Sequence, residues 1–356
     1  MFEYTLELMS RQPPYNRTTE FSELTRQIIK GLKALIETSG SLVLLTSSGT
    51  GAMDAAITNL FNPGERVLVV NSGTFGSRWC EICQVHGILY DSITPPPGRA
   101  VDVLEIDRVL SQNTYSALLI NAHETSTGVL HDTQAIGVIA SKYDLLFVVD
   151  AIGTVLADPF SMDPWNVDVS IFSSQKGLAL PPGLAFVALN DKAAKKMKSI
   201  APRSFYFNLA AYIDSQERGQ MPFTPAIGLF VALQDRLDRI LAEGVSPVLK
   251  NTAYLANYFR NALSTLPFSL LPDRPSNAVT AIQCRNGFNA RVLVRDLAER
   301  YHYYVTSNPG PLGESLFRVG HMGHQTTSNL DSLVEALDEL CGRSQPRGEK
   351  RSYEKV

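Results

Sequence analysis

Cysteine is scarce. The 356 residues hold four, Cys80, Cys83, Cys284 and Cys341, too few and too scattered for a disulfide framework. A reducing cytoplasm is the expected setting. No apolar run approaches the ~18 residues of a membrane span. The opening MFEYTLELMSRQPPY has no basic start followed by an apolar stretch, so no secretory signal is expected. An excess of one charge is also missing: 32 Lys plus Arg face 35 Asp plus Glu, a net charge of -3. That balance argues against a general binder of nucleic acid or of membrane surfaces. There is no internal repeat and no low-complexity segment. Cys80 and Cys83 do form a CxxC with His86 beyond it, but RWCEICQVHG reads as mid-helix. A redox pair belongs at a helix N-terminus, and a structural zinc site needs a second pair. The two cysteines are read as small apolar residues on a packed helix face, and no metal is expected.

Apolar residues make up 44% of the chain and charged residues 19%, as in ordinary globular proteins. The length suits two domains. FSELTRQIIKGLKALIETSG carries apolar residues at helical spacing and ends in Gly. SLVLL, RVLVVN, SALLIN, LLFVVD, VDVSIFS and LAFVALN are near-continuous apolar runs with helical stretches between most of them. Such runs mark strands covered on both faces, hence a mostly parallel sheet in an α/β domain. Beyond LAFVALN come long helical stretches and the short strand-like runs FSLL, AVTAIQC, YYVTS and SLFRVG. The expected division is a large α/β domain over 16–235 and a smaller α+β domain over 236–342, with the segment 1–15 packing near the latter. A polar tail, 343–356, is expected to be disordered.

In such a sheet, ligands sit at the carboxyl ends of the strands. Four loops there carry unusual residues. In TSSGTG, 46–51, a strand runs straight into a helix start, so free backbone N–H groups with the hydroxyls of Ser48 and Thr50 suit one phosphate. The same pattern also serves as an ordinary N-cap, and no lysine follows to make it a nucleotide P-loop. Asp150 ends the strand LLFVVD, where a buried carboxylate is costly without a cation; it caps the next turn or faces a protonated ring nitrogen. Lys176, in SSQKGLALPPG, either snorkels out of its loop or forms a Schiff base with an aldehyde. NAHETSTG, 121–128, offers Thr125, Ser126 and Thr127 as hydroxyls, with His123 and Glu124 as acid–base groups or loop braces. Taken together, a phosphate cradle, a buried Asp, a hydroxyl loop and a lysine at the strand ends of one sheet describe a pyridoxal 5′-phosphate site.

SSGTGAMDAA, NSGTFGSRW, HETSTGVL, VVDAIG, SSQKGLALPPG, RGQMPFTPA and LFRVGHMG follow in an order that resembles the class V, fold-type I aminotransferases. Within them the chain is similar to the group of 2-aminoethylphosphonate–pyruvate and alanine– or serine–glyoxylate transaminases. The resemblance implies Lys176 as the Schiff-base lysine and Asp150 as the partner of the pyridinium nitrogen. It implies Ser48, Gly49, Thr50 and Gln175 around the phosphate, Phe75 and Ile152 on the two ring faces, and Thr125 at the phenolic oxygen. Thr224 would reach the phosphate of a neighbouring subunit, making the active unit a homodimer. Arg318 would bind the acidic group of the substrate with its planar fork. The chain departs from the family in lacking a Gly-Pro segment ahead of QPPYNRTTEF, so either an altered pocket or a late start is expected. The expected reaction moves an amino group from a small donor to a keto acid, with 2-aminoethylphosphonate and pyruvate as the first pair and alanine or serine with glyoxylate as the second. A cysteine desulfurase-like lyase and a non-catalytic homologue are the other readings. Against the lyase, Gln175 stands where those enzymes place His, and Cys284 reads as part of a strand.

Overall fold

The computed structural model describes residues 1–343. Of the tail expected at 343–356, Arg343 ends the last helix and the rest lies outside the described residues. Between residues 41 and 189 the chain lays down β1 (Ser41–Ser47), β2 (Arg66–Val70), β3 (Leu89–Ile93), β4 (Ala117–Asn121), β5 (His123–Glu124), β6 (Val129–Leu130), β7 (Leu146–Asp150), β8 (Val169–Ser173) and β9 (Gly183–Leu189). Seven of these form one sheet in the order β1-β9-β8-β7-β4-β2-β3, and β5 and β6 make a separate hairpin. Every residue of β4, β7 and β8 is buried, because helices cover both faces of an apolar strand that could not face water on either side.

The pairs β2–β3, β2–β4, β4–β7 and β7–β8 are parallel. β9 runs antiparallel to both β8 and β1. Its sequence, GLAFVAL, is as apolar as that of its neighbours, so composition does not reveal its direction. The connection does: residues 174–182 are too few for the crossover that a parallel neighbour needs. Because β9 is antiparallel to both neighbours, β1 points the same way as β8. The carboxyl ends of β1, β2, β4, β7 and β8 therefore open on one edge of the sheet, with the expected loops after β1, β4, β7 and β8.

The second sheet joins β10 (Phe268–Leu270), β11 (Val279–Cys284), β12 (Thr306–Ser307) and β13 (Leu316–Gly320) in the antiparallel order β10-β11-β13-β12. Of YYVTS, only Thr306 and Ser307 are strand. The helices Val245–Ala262, Ala290–Tyr301 and Thr327–Arg343 pack on it around Phe259, Leu297, Phe317 and Leu337. Asp158, buried beyond β7, accepts from Ser276 Oγ at 2.5 Å and from the Asn277 N–H at 3.0 Å. The hairpin is tied to the same segment, since the Leu130 N–H reaches the Arg274 carbonyl at 2.8 Å. These bonds fix the small sheet against the edge where the loops converge. The helix Ile227–Glu243 spans the expected division at 235 and 236. A short helix, Glu3–Met9, lies against it, with the Arg239 guanidinium 4.0 Å from the Tyr4 ring centre and that of Arg236 4.6 Å from Phe2. No helix among the described residues is long and apolar enough to cross a membrane.

Candidate active site

The backbone around Lys176 is locked from several sides. Its carbonyl accepts from the Ala179 N–H at 2.8 Å, closing a tight turn. Ser174, two residues before it, donates Oγ to the Pro181 carbonyl at 2.7 Å and accepts from the Leu184 N–H at 3.2 Å. Gly177 admits no side chain, because a Cβ there would fall 2.2 Å from the Val155 carbonyl oxygen. Ala179 holds a φ of 59°, a left-handed geometry that costs a non-glycine residue about 1–2 kcal/mol. The turn spends this strain to aim one side chain. Lys176 Nζ makes no hydrogen bond among the described residues. Burial pulls its pKa below the ordinary value, against the pull of Asp150 and with help from Arg318.

Asp150 ends β7 with 5% of its surface exposed. Its Oδ1 accepts from the Ile152 N–H at 2.8 Å and its Oδ2 from Asn121 Nδ2 at 2.5 Å. Burial nonetheless raises its pKa to about 6, the signature of a carboxylate with no counter-charge close enough to offset desolvation. Asn121 sits opposite Asp150 in the β4–β7 register. Beside them His123 is buried, and neither ring nitrogen has a hydrogen-bond partner. Burial first, then the Lys176 charge, lowers its pKa to about 3.

The helix Gly49–Leu60 starts directly after β1, with Ser48 as N-cap, its Oγ accepting from the Gly51 N–H at 3.3 Å. The cap reading of Ser48 is therefore correct, and it leaves the N–H groups of Gly49 and Thr50 free of the cap. Thr50 Oγ1 accepts from Arg78 Nη1 at 2.9 Å. Phe75 and Arg78 both come from the helix Thr74–Val85, whose N-terminus rests on the carboxylate of fully buried Glu124. That carboxylate accepts from the N–H groups of Phe75 at 3.1 Å and Gly76 at 2.9 Å, and from Ser126 Oγ at 2.5 Å. Glu124 is a brace. Cys80 and Cys83 lie in the same helix, buried, and burial pushes the Cys83 thiol up to about 12.

Two connected spaces result. An inner cavity of about 200 Å³ is lined by Ser48, Gly49, Thr50, Ile152 and Asp150, with Arg78 and His123. An outer one of about 810 Å³ holds Arg318. Phe75, Thr125, Gln175 and Lys176 line both. Arg318, on β13, donates Nη1 to the Thr125 carbonyl at 3.0 Å, while its Nε is buried without a partner. Thr224 is exposed and lines neither space. Met1 also lines the outer cavity.

Residues 9–307 match the family model "Aminotransferase class-V". The chain belongs to the class-V aminotransferases. It is 32% identical to the L-aspartate–glyoxylate aminotransferase of Paracoccus denitrificans, over 87% of this chain and 81% of that one. It is also 32% identical to a protein named soluble hydrogenase, small subunit, of Synechococcus sp., over 95% and 89%. Among solved structures it is similar to an aspartate aminotransferase of subgroup IV from Thermus thermophilus, with a TM-score of 0.89 and 29% identity over 96% of this chain and 97% of that one. As a class-V aminotransferase it is a fold-type I, pyridoxal phosphate-dependent transaminase, as the loops had indicated.

The residues present fit that cofactor. In the lining of the inner cavity, His123 with both nitrogens free and Gln175 with an unpartnered Oε1 are polar groups the protein alone does not satisfy. At Gly49 a Cβ would fall 2.3 Å from Ile152 Cδ1, so a larger residue there would push the Ile152 side chain out of its place in the cavity wall. Arg78 and Asn121 carried no assignment from sequence, because their partners, Thr50 and Asp150, lie on other elements.

Proposed function

We propose that this class-V aminotransferase moves an amino group from a small α-amino acid, alanine or serine, to glyoxylate, with Lys176 as the cofactor-bearing and proton-moving residue. The observation that carries the reading is the outer cavity, which holds Lys176 and Arg318 and has no Asp or Glu among its lining residues. A carboxylate entering it meets a guanidinium whose Nε is still unpaired and whose fork matches two oxygens. Bound pyridoxal phosphate supplies an electron sink that lets a bond to the donor's α-carbon break. Asp150 would hold a proton on the ring nitrogen. Ser48, Gly49, Thr50 and Gln175 would hold its phosphate, Phe75 and Ile152 its two ring faces, and Thr125 its phenolic oxygen. Lys176 Nζ, with its pKa pulled down by burial, takes the α-proton of the donor and returns it on the other side of the exchange. Arg318 orients donor and acceptor in turn.

The acceptor is supported by the names of the relatives, glyoxylate aminotransferases using aspartate or serine. The pair first expected, 2-aminoethylphosphonate and pyruvate, is the second reading, since the Arg318 fork meets a phosphonate as readily. A desulfurase reading has less behind it: Cys284 ends β11 in the small sheet, and burial pushes its thiol up to about 12, away from a reactive thiolate. In a homodimer Thr224, exposed here, would serve a partner's phosphate. A donor–acceptor screen tests the reading. Turnover with alanine or serine and glyoxylate supports it; turnover only with 2-aminoethylphosphonate and pyruvate replaces it with the second reading.

A further inference from the structure

We propose that Arg78 is a ligand of the cofactor's phosphate, adding a charge that the cradle of Ser48, Gly49, Thr50 and Gln175 lacks. The proposal rests on the reading that this cradle holds the phosphate. The start of the helix Gly49–Leu60 carries a partial positive charge on its free N–H groups. Arg78 Nη1 is held 2.9 Å from Thr50 Oγ1, at that start. Lys176 lines the same cavity. Three positive features thus surround about 200 Å³ of space, and the only acid in its lining is Asp150. Asp150 is occupied elsewhere, by Asn121 and the Ile152 N–H. Among the described residues Arg78 has no ion pair. A cavity lined by these groups favours an anion, and a phosphate dianion suits it.

Two further observations agree. Ser173 Oγ, on a residue 3% exposed and with no partner, lies 3.8 Å from the position of a Cβ on Gly49, the first residue of that helix. The aim of Arg78 is also fixed. Its helix is anchored at Phe75 and Gly76 on Glu124, and the guanidinium lies 4.7 Å from the centre of the Phe75 ring. An arginine that only buttressed Phe75 would have no need of Thr50.

The test is cofactor selectivity in the full-length, cofactor-free protein. Affinity is measured by absorbance titration for pyridoxal 5′-phosphate and for pyridoxal, which has no phosphate. Removing one charge-assisted contact in Arg78→Met weakens pyridoxal 5′-phosphate by about 10- to 100-fold and leaves pyridoxal within about twofold. Arg78→Lys keeps the charge without the fork and falls between. Inorganic phosphate competes with pyridoxal 5′-phosphate in the parent and less in Arg78→Met. Equal weakening of both compounds, or of neither, overturns the inference while the cradle reading stands. If Arg78→Met does not fold, an Arg78→Lys protein with the parent's selectivity ratio overturns it as well. A parent that takes up no pyridoxal 5′-phosphate sinks the cradle reading, and the inference with it.

Discussion

Asn121 Nδ2 lies 2.5 Å from Asp150 Oδ2, one strand away in the same register of the sheet. Burial outweighs the Asn121 bond and the Lys176 charge, which both pull the Asp150 pKa down. Burial raises its pKa from 3.8 to about 6. A carboxyl that holds its proton more tightly folded than unfolded stabilises the fold at low pH, and loses that contribution as pH rises from 3.8 through about 6. Asp150→Asn removes the loss. The unpartnered Oδ1 of Asn121 can accept from the new amide after a flip. The cofactor-free variant should match the parent below pH 4 and exceed it by about 3 kcal/mol above pH 6, while turnover falls. Urea unfolding at both pH values measures the difference, and a constant gap across pH would refute the assignment.

Glu124 offers a stability prediction. Its buried carboxylate satisfies the first N–H groups of the helix Thr74–Val85. Glu124→Ala leaves those donors buried and unpaired, at a cost of about 3 kcal/mol or more, and Glu124→Gln should cost about 1 kcal/mol. Thermal unfolding of the two variants should rank them in that order below the parent. Cofactor affinity should fall with Glu124→Ala too, since Phe75 and Arg78 ride on that helix.

His123 should show the opposite trade. An imidazole buried with both nitrogens unpaired destabilises the cofactor-free protein. His123→Leu is expected to raise its stability by about 1–3 kcal/mol. It should also reduce acid lability: a histidine whose folded pKa lies near 3 contributes stability above pH 6.5 that disappears as pH falls toward 3. The gain in melting temperature on adding pyridoxal phosphate should shrink in the variant. An unchanged gain would show that the ring serves packing alone.

Arg318→Lys keeps a charge and loses the fork that faces the outer cavity. The KM for the keto acid should rise by about 10- to 100-fold with a smaller change in kcat. Equal losses for a carboxylate acceptor and an uncharged aldehyde would place Arg318 in a structural role.

Much of this site was legible because strand ends are easy to see. Asp150 directly ends a run of apolar residues and Lys176 comes four residues after one, where a charge stands out. Arg318 was not legible in that way. It sits inside a half-buried strand, LFRVG, and only the family motif pointed to it. Arg78 and Glu124 act through partners 28 and 48 residues away, which no local pattern encodes. The direction of β9 was hidden for a similar reason, since an apolar run reads alike in either direction and only its short connection decides. The helix Glu3–Met9 is too short for its periodicity to register, and it takes its place from contacts with Arg236 and Arg239.

The most direct test of the whole account is chemical. The protein is incubated with pyridoxal 5′-phosphate, reduced with borohydride, digested and read by mass spectrometry. The cofactor's mass is expected on the peptide holding SSQKGLALPPG, at Lys176, and none on Lys176→Ala. A label on another lysine, with Lys176 unmodified, would contradict it.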